Sequence, residues 1–336
     1  MNRADLSYTY PESLIATEPS RPSRVMYVDG GNDPQELTIS QLIARIPTGD
    51  FFVINNTRVL KRRVFSSEQA EILFLDALSE AEFSNTWSVL FPAKKYGVGD
   101  VLKLPMGFQM TLLEKGRPQK VQITPKIKQA DFDKMAEMPL PPYIQKARND
   151  RHNTSGDEAW YQTAWAKNPG SFAAPTASLH FTEADILQLK KNGVHVIELT
   201  LHVGLGTFLP VLTDDLNDHK MHQEIYQISA ENWNSIEAAK SENKGIWSLG
   251  TTTTRVLESV ARTGILSGST DILLQHGSEF KIVNRLLTNF HQPESTLLAL
   301  VAGFSDLATV KKNYNWAMDK KFKLFSYGDL SVWIKG

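Results

Sequence analysis

The sequence predicts an α/β protein in which a domain built on a largely parallel sheet, or an open or distorted α/β-barrel-like domain, is interrupted by a small inserted antiparallel β-barrel domain. Two changes of texture carry this reading. Residues 61–138 run as short β segments separated by Gly-, Pro- and charge-bearing turns, whereas the chain on either side alternates apolar strands with helical segments. The implied boundaries are 1–60 and 139–336 for the discontinuous α/β domain and 61–138 for the insert.

Each element has a local reason. At the head of the chain a helix over 39–46 leads into the apolar strand Phe51-Phe52-Val53-Ile54. In the insert, the segments 70–75, 87–91, 101–104, 108–113 and 121–124 are strand-length and apolar, with turn residues between them. Downstream, Thr182 is suited to cap a helix over 183–191, and Gly193 stands where a C-terminal glycine belongs. A strand over 194–201 follows, then a helix over about 230–241, a strand over 246–249 and a helix near 255–261. A strand over 271–274 and helices near 295–303 and 306–320 complete the alternation. No internal repeat or low-complexity tract is visible.

Composition narrows the function classes. A chain of 336 residues can bury a large core and favours two domains over one, and 41% apolar with 22% charged residues is ordinary for a globular protein. The absence of cysteine excludes disulfides, thiolate nucleophiles and Cys-based zinc or iron–sulfur sites. The opening residues lack the basic start and apolar run of a secretory signal, and the longest apolar-and-glycine run, 297–304, is far short of the roughly twenty residues that span a bilayer. A cytoplasmic protein without membrane association is expected. The formal charge of −1 conceals a local asymmetry: between Lys94 and Lys128 stand eight Lys or Arg and only Asp100 and Glu114. Such a face suits either a phosphate backbone or a well-solvated β surface.

Chemistry-bearing residues concentrate at predicted strand ends. Leu201-His202-Val203-Gly204-Leu205-Gly206-Thr207 sets an imidazole at the end of a strand against a glycine-rich turn, where α/β enzymes place their chemistry. Asn55-Asn56-Thr57-Arg58 follows another strand directly. Asn-Asn is a common turn former, while Arg58 is suited to gripping a carboxylate or phosphate bidentately. Small residues 170–178 with Thr176, Ser178 and His180 precede a helix start, which suits close approach of an anionic ligand; a structural histidine is the alternative.

His219, His222 and Glu224 have a spacing compatible with metal ligation on a helix but fall in a polar loop, so substrate contact is favoured over metal. Gly250-Thr251-Thr252-Thr253-Thr254-Arg255 is a strand–turn–helix junction able to hold a carboxylate; it lacks the P-loop and dinucleotide patterns. Asn289 and His291 remain after Pro293 and Ser295 are assigned to a helix start. Tyr327 and Asp329 read equally as a tight turn fixing a terminal strand or as a phenol–carboxylate pair reaching the site.

Taken in this order, the motifs resemble the S-adenosylmethionine:tRNA ribosyltransferase-isomerase family of queuosine biosynthesis, the QueA family. The resemblance is carried by Asn55-Asn56-Thr57-Arg58-Val59, Pro139-Leu140-Pro141-Pro142-Tyr143-Ile144, the 173–182 segment and Thr200-Leu201-His202-Val203-Gly204. It is carried further by His219-Lys220-Met221-His222-Gln223-Glu224, Gly250-Thr251-Thr252, Thr288-Asn289-Phe290-His291 and Ser326-Tyr327-Gly328-Asp329. It implies an α/β-barrel-like domain interrupted by a β-barrel. It also implies transfer of the ribosyl part of S-adenosylmethionine to 7-aminomethyl-7-deazaguanine at the tRNA wobble position, with release of adenine and methionine and formation of epoxyqueuosine. S-adenosylmethionine is then a substrate, tRNA is the macromolecular partner, no metal or bound cofactor is expected, and a monomer is expected.

Such a reaction needs a base for a ribose C5′ hydrogen acidified by the adjacent sulfonium, and an acid or hydrogen-bond donor for departing adenine; imidazoles suit both tasks. On the resemblance, His180 and His202 are acid/base candidates, Arg58 or Arg255 meets the methionine carboxylate, and Glu224 and Asp329 hold substrate hydroxyls or the incoming amine. Further substrate contacts are expected from Asn55, Asn56, Thr176, Gly204, Thr207, His219, His222, Thr251, Thr252, Asn289, His291 and Tyr327. The tRNA is expected to meet Lys94, Lys95, Lys115, Arg117 and Lys120. The chain departs from the family pattern in a shortened insert after Phe65, a stretched segment 150–161 with Trp160 where arginine is usual, and His276, Asn284 and Glu294 in place of Pro, Asp and Lys. Two other functional readings are a tRNA-binding family member without activity and an α/β-barrel enzyme acting on a small nucleotide or sugar.

Overall fold

The protein is seen in a computed structural model that describes residues 1–78, 85–204, 206 and 211–335. It divides into two compact units. Met1–Val59, Pro141–Arg151 and Ala159–Gly336 form the first, and Leu60–Leu140 with His152–Glu158 the second. In chain order the first unit begins with β1 (Arg24–Asp29), β2 (Gln35–Thr38), α1 (Ile39–Arg45), β3 (Phe51–Asn55) and β4 (Thr57–Val59). The second unit carries β5 (Arg63–Phe65), β6 (Glu71–Ala77), β7 (Thr86–Leu90), β8 (Val101–Lys103), β9 (Gln109–Glu114), β10 (Gln119–Thr124) and α2 (Gln129–Met135). Next come α3 (Pro142–Arg148), the single-turn α4 (Asp157–Trp160), β11 (Asn168–Ser171), α5 (Glu183–Lys191), β12 (His195–Leu201), β13 (Glu224–Gln227) and α6 (Ala230–Ser241). The chain closes with β14 (Ile246–Leu249), α7 (Thr251–Thr263), β15 (Ser267–Thr270), β16 (Arg285–Asn289), α8 (Thr296–Phe304), α9 (Leu307–Asp319) and β17 (Leu330–Ile334).

The first unit is built on a mixed sheet in the order β15-β13-β12-β3-β14-β16-β17-β1-β2. Its centre, β12-β3-β14-β16, is parallel, whereas β13, β15 and β2 pair antiparallel with their neighbours and β17 runs antiparallel to β16. Side chains of β3 alternate between two cores. Phe52 and Ile54 pack with Trp247, Leu249, Leu287 and Val332, while Val53 faces Leu201, Leu286 and Trp333. Fully burying a side chain of this kind contributes roughly 1.5–3 kcal/mol, so the two-sided burial of this sheet dominates the unit's stability. Asp50 locks the starts of two central strands together, accepting from the Gly245 N–H and the Trp247 indole N–H, each at 2.8 Å.

Helix ends follow the capping logic of the sequence. Thr182 accepts from the Asp185 N–H at 3.2 Å while the Asp185 carboxylate accepts from the Thr182 N–H at 2.8 Å, starting α5 at the residue its cap predicts. Ser229, Ser295 and Asp306 cap α6, α8 and α9 by accepting the N–H three residues on, without the reciprocal bond. Helix α7 begins at Thr251, four residues before the predicted start: Gly250, at φ +95°, is its N-cap, and the Thr254 N–H donates to the Gly250 carbonyl at 3.1 Å.

The predicted strand over 271–274 is corrected. The paired residues are Ser267–Thr270, whose register is set by β13 through Thr270 opposite Glu224. Residues 271–274 are unpaired, and the buried Leu274 gives them their strand-like apolar character. The largely parallel sheet expected from the alternation is mixed, because β12 and β13 are joined without a crossover helix among the described residues and β17 returns antiparallel.

The second unit is an antiparallel sheet in the order β5-β6-β7-β10-β9-β8. Strand β10 alternates buried Gln119, Val121 and Ile123 with exposed Lys120, Gln122 and Thr124, and its inner face packs on Phe74, Val89, Met110, Leu112 and Phe132. The sheet curls: the Ser67 N–H, just after β5, donates to the Lys103 carbonyl of β8 at 2.9 Å, although these strands stand at opposite ends of the order. The later segment 152–158 joins this unit around Glu137, whose carboxylate receives the buried Arg63 guanidinium at 2.7 Å, pairs with His152 Nδ1 at 2.7 Å and accepts the Asn153 N–H at 2.8 Å.

Candidate active site

Because β12, β3, β14 and β16 are parallel neighbours, their C-terminal ends lie along one edge of the sheet. That edge collects Leu201 and His202, Asn55 and Asn56, Leu249 and Gly250, and Asn289. Asn289 pairs with Leu330 of the antiparallel β17, so Asp329 arrives at the same edge. Strand β1 runs parallel to β17 with Val25 opposite Leu330, which adds Ser23 and Arg24. The C-terminal ends of parallel strands are where α/β sheets bind ligands, since the backbone and the following loops converge there.

His202 sits in a chain of short hydrogen bonds. Its Nδ1 is 2.8 Å from Thr57 Oγ1, which is 2.8 Å from Ser171 Oγ, and Ser171 Oγ accepts the Val203 N–H at 2.8 Å. The ring lies against Gly170: a Cβ there would fall 2.7–2.8 Å from Nδ1, Cε1 and Cγ. His202 is half-buried, desolvation holds its pKa below the ordinary imidazole value, and Nε2 has no partner among the described residues. Asn55 and Asn56 frame it without free amides. Asn55 accepts the Thr57 and Leu201 N–H groups, each at 3.1 Å, and donates to the Leu201 carbonyl at 3.0 Å. Asn56 donates to Glu198 at 3.0 Å and accepts from Thr200 and Asn168 at 2.7 and 3.0 Å.

His180 is occupied on both nitrogens. Nδ1 lies 2.8 Å from Ser23 Oγ, and Nε2 is 3.0 Å from the Asn289 amide nitrogen, which also donates to the Phe325 carbonyl at 3.0 Å. The Asn289 amide is therefore the donor, Nε2 the acceptor, and the His180 proton resides on Nδ1. Burial, with the Arg21 guanidinium nearby, pushes this imidazole down to about 3. His291 is buried, bonded through Nε2 to Thr288 at 2.8 Å, and desolvated down to about 3.

Glu224 and Arg255 form a buried ion pair; Glu224 also accepts the Gly204 N–H at 3.0 Å, and Arg255 donates through Nε to the Ile272 carbonyl at 3.3 Å. Glu224 therefore opens β13 and does not lie in the polar loop predicted for it. Asp329 accepts the Arg24 and Lys323 N–H groups at 3.0 and 2.7 Å, and burial raises its pKa. Arg58, in contrast, is exposed and has no ion-pair partner among the described residues.

Thr176 is half-buried at the start of the short helix Thr176–His180, and a Cβ on Gly250 would lie 3.7 Å from Ala177 of that helix, so the two turns adjoin. Thr251 is buried, and Thr252 Oγ1 is buried without a hydrogen-bond partner at the uncapped start of α7. Tyr327 is buried, edge-on to Tyr161 at 6.0 Å and to Trp160 at 6.4 Å, so the tryptophan found in place of an arginine supplies an aromatic wall. His219 is half-buried and His222 exposed, with the latter's ring close to Gly206. No group of three His, Asp or Glu side chains among the described residues is arranged to hold a metal. Thr207 lies outside the described residues.

In the second unit, Lys94 and Lys95 form an exposed turn, Lys115 and Arg117 lie in the β9–β10 hairpin, and Lys120 is on the exposed face of β10. None of the five is in an ion pair with a described residue.

Thr57, Ser171, Gly170 and Ser23 escaped the sequence reading as individual contributors. Thr57 and Ser171 are 114 residues apart, and hydroxyls and glycines are too common for any local pattern to mark them. Asn284 explains one departure from the family pattern: its side-chain oxygen accepts the Ile246 N–H at 2.7 Å, as a carboxylate would.

A mixed α/β sheet with imidazole, hydroxyl and guanidinium groups gathered at its parallel strand ends has the architecture of an α/β enzyme. The chain belongs to the Queuosine biosynthesis protein family, which matches residues 3–333. It is 38% identical over 352 residues to the S-adenosylmethionine:tRNA ribosyltransferase-isomerase of Staphylococcus aureus strain Newman, covering 99% of this chain and 100% of that protein. The protein of the same name from strain JH9 is equally similar, at 38% over the same coverage. The fold is similar to a crystal structure of S-adenosylmethionine tRNA ribosyltransferase from Thermotoga maritima, with TM-score 0.55, 27% identity and coverage of 98% of this chain and 99% of that one.

Proposed function

We propose that this protein transfers and isomerises the ribosyl moiety of S-adenosylmethionine onto 7-aminomethyl-7-deazaguanine at the tRNA wobble position, forming epoxyqueuosine-tRNA, adenine and methionine. The observation that carries the proposal is His202: an imidazole fixed through Nδ1, with Nε2 unpartnered among the described residues, at the edge where the parallel strands end. It rests equally on full-length similarity to proteins named for this activity.

Within this reading His202 is the imidazole that meets S-adenosylmethionine. His180, with both nitrogens engaged, positions Asn289 and the loop at Phe325. Arg58 suits the methionine carboxylate better than Arg255, whose charge is already met by Glu224. Glu224 and Asp329 shape the edge by holding backbone N–H groups of Gly204, Arg24 and Lys323. The curled sheet of the second unit reads as an inserted β-barrel whose five exposed basic residues contact tRNA phosphates. A cytoplasmic location follows from the tRNA substrate.

The test is adenine release from S-adenosylmethionine, followed by chromatography, with and without an anticodon stem-loop bearing the aminomethyl deazaguanine. Release that requires the stem-loop, with a matching mass gain on the RNA, is the expected result. Tight RNA binding without release would defeat the catalytic reading.

A further inference from the structure

The protons around His202 can be placed by counting donors and acceptors. Ser171 is fully buried, and its Oγ already accepts the Val203 N–H at 2.8 Å. Its only acceptor among the described residues is Thr57 Oγ1 at 2.8 Å, so the Ser171 proton points there; turned elsewhere, it would be a buried donor without a partner. Thr57, also fully buried, has one proton and two acceptors within reach: His202 Nδ1 at 2.8 Å and the Asn168 carbonyl at 3.5 Å. The shorter contact wins, and it fills the Nδ1 lone pair. Ring rotation is opposed by loss of the Thr57 bond, since a flipped ring presents carbon to the hydroxyl.

We propose that Ser171 and Thr57 are positioning residues that hold His202 in the tautomer protonated on Nε2, so that this imidazole meets a lone pair on S-adenosylmethionine as a neutral hydrogen-bond donor and not as the base. The inference deepens the ribosyl-transfer reading and rests on it for the identity of the substrate. No bond breaks at His202 in this role: the N–H polarises a purine nitrogen or ribose oxygen while the ring keeps its proton. Desolvation of His202, which disfavours the imidazolium, acts in the same sense. The opposite tautomer would require the Thr57 proton to turn to the distant Asn168 carbonyl.

The test is nitrogen-15 NMR of the full-length protein labelled in its eight histidines, with the His202 resonances assigned by their loss in His202→Gln. Near neutral pH the expected spectrum has an unprotonated, pyridine-like Nδ1 and a protonated, pyrrole-like Nε2. A protonated Nδ1 overturns the proposal. Thr57→Val is expected to give a tautomer mixture and to slow adenine release by about tenfold or more, while Thr57→Ser retains both wild-type properties. An unchanged tautomer in well-folded Thr57→Val would overturn the role of the hydroxyl pair. Absence of adenine release by a wild-type protein that shows the expected tautomer would defeat the ribosyl-transfer reading alone.

Discussion

Burial sets the protonation of His180, His202 and His291 in the first unit. His180 and His291 are pushed down to about 3, and His202 is lowered in the same direction, whereas an unfolded chain titrates these groups near pH 6.5. Between those values the unfolded state binds protons that the folded state refuses, so stability rises with pH through the window and is lost as pH falls from about 6.5 toward 3. The urea midpoint is expected to drop between pH 7 and pH 4, and His291→Gln should flatten that dependence. The difference between wild type and variant isolates the imidazole, because Glu36, Glu198 and Asp306, whose pKa values are lowered in the fold, also lose stability in acid. Equal slopes for the two proteins would show that His291 is not buried neutral. At this scale the residue types of the site were readable from the sequence, His202 and Arg58 above all. Their engagement was not: nothing local distinguishes His180, with both nitrogens bonded, from His202, with only Nδ1 bonded among the described residues.

Helix α7 shows how one carboxylate can secure an element. Glu258 is fully buried and its two oxygens accept the Lys281, Ile282 and Val283 N–H groups at 2.8, 2.9 and 3.0 Å, with Arg262 one turn on at 2.6 Å. Removing it leaves three backbone donors without their acceptor and takes the carboxylate from Arg262, whose guanidinium keeps only the backbone carbonyls of residues 258 and 279. Glu258→Ala is expected to cost about 3–5 kcal/mol, read as a lower urea midpoint, with faster amide exchange at residues 281–283. An unchanged midpoint would refute this assignment.

Helix α5 was legible because Thr182 announces its start within three residues. Strand β13 was not, since its pattern is inverted: Glu224 and Tyr226 face inward while Ile225 is 65% exposed, an arrangement stable only because Arg255 meets the carboxylate. Strands β1 and β16 also went unread, and β17 was foreseen only as a terminal strand behind the turn at Tyr327. All three are five or six residues long, and each becomes a strand through its neighbours in the sheet.

For the whole molecule, the functional reading requires that the second unit bind RNA through charge. Replacing Lys94, Lys95, Lys115, Arg117 and Lys120 together with alanine should weaken stem-loop binding and reduce the slope of log affinity against log salt, by about 0.7–0.9 for each residue that touches phosphate. Because these residues are exposed and outside ion pairs with described residues, thermal stability should barely change. Wild-type salt dependence in the variant would move the tRNA contact away from this sheet.

From its own order of residues the chain specifies an α/β class, a β-rich stretch after residue 60, the principal capped helices and the chemical groups at the strand ends, because capping, alternation and turn chemistry act over a few residues. The tertiary structure decides which of those groups remains available. Sheet order brings Thr57, Ser171 and His202 together from three separate segments, joins Glu224 to Arg255, and closes His180 between Ser23 and Asn289. Hydrogen bonds depend on distances of about 3 Å between atoms, and such distances between remote segments exist only once the backbone has folded.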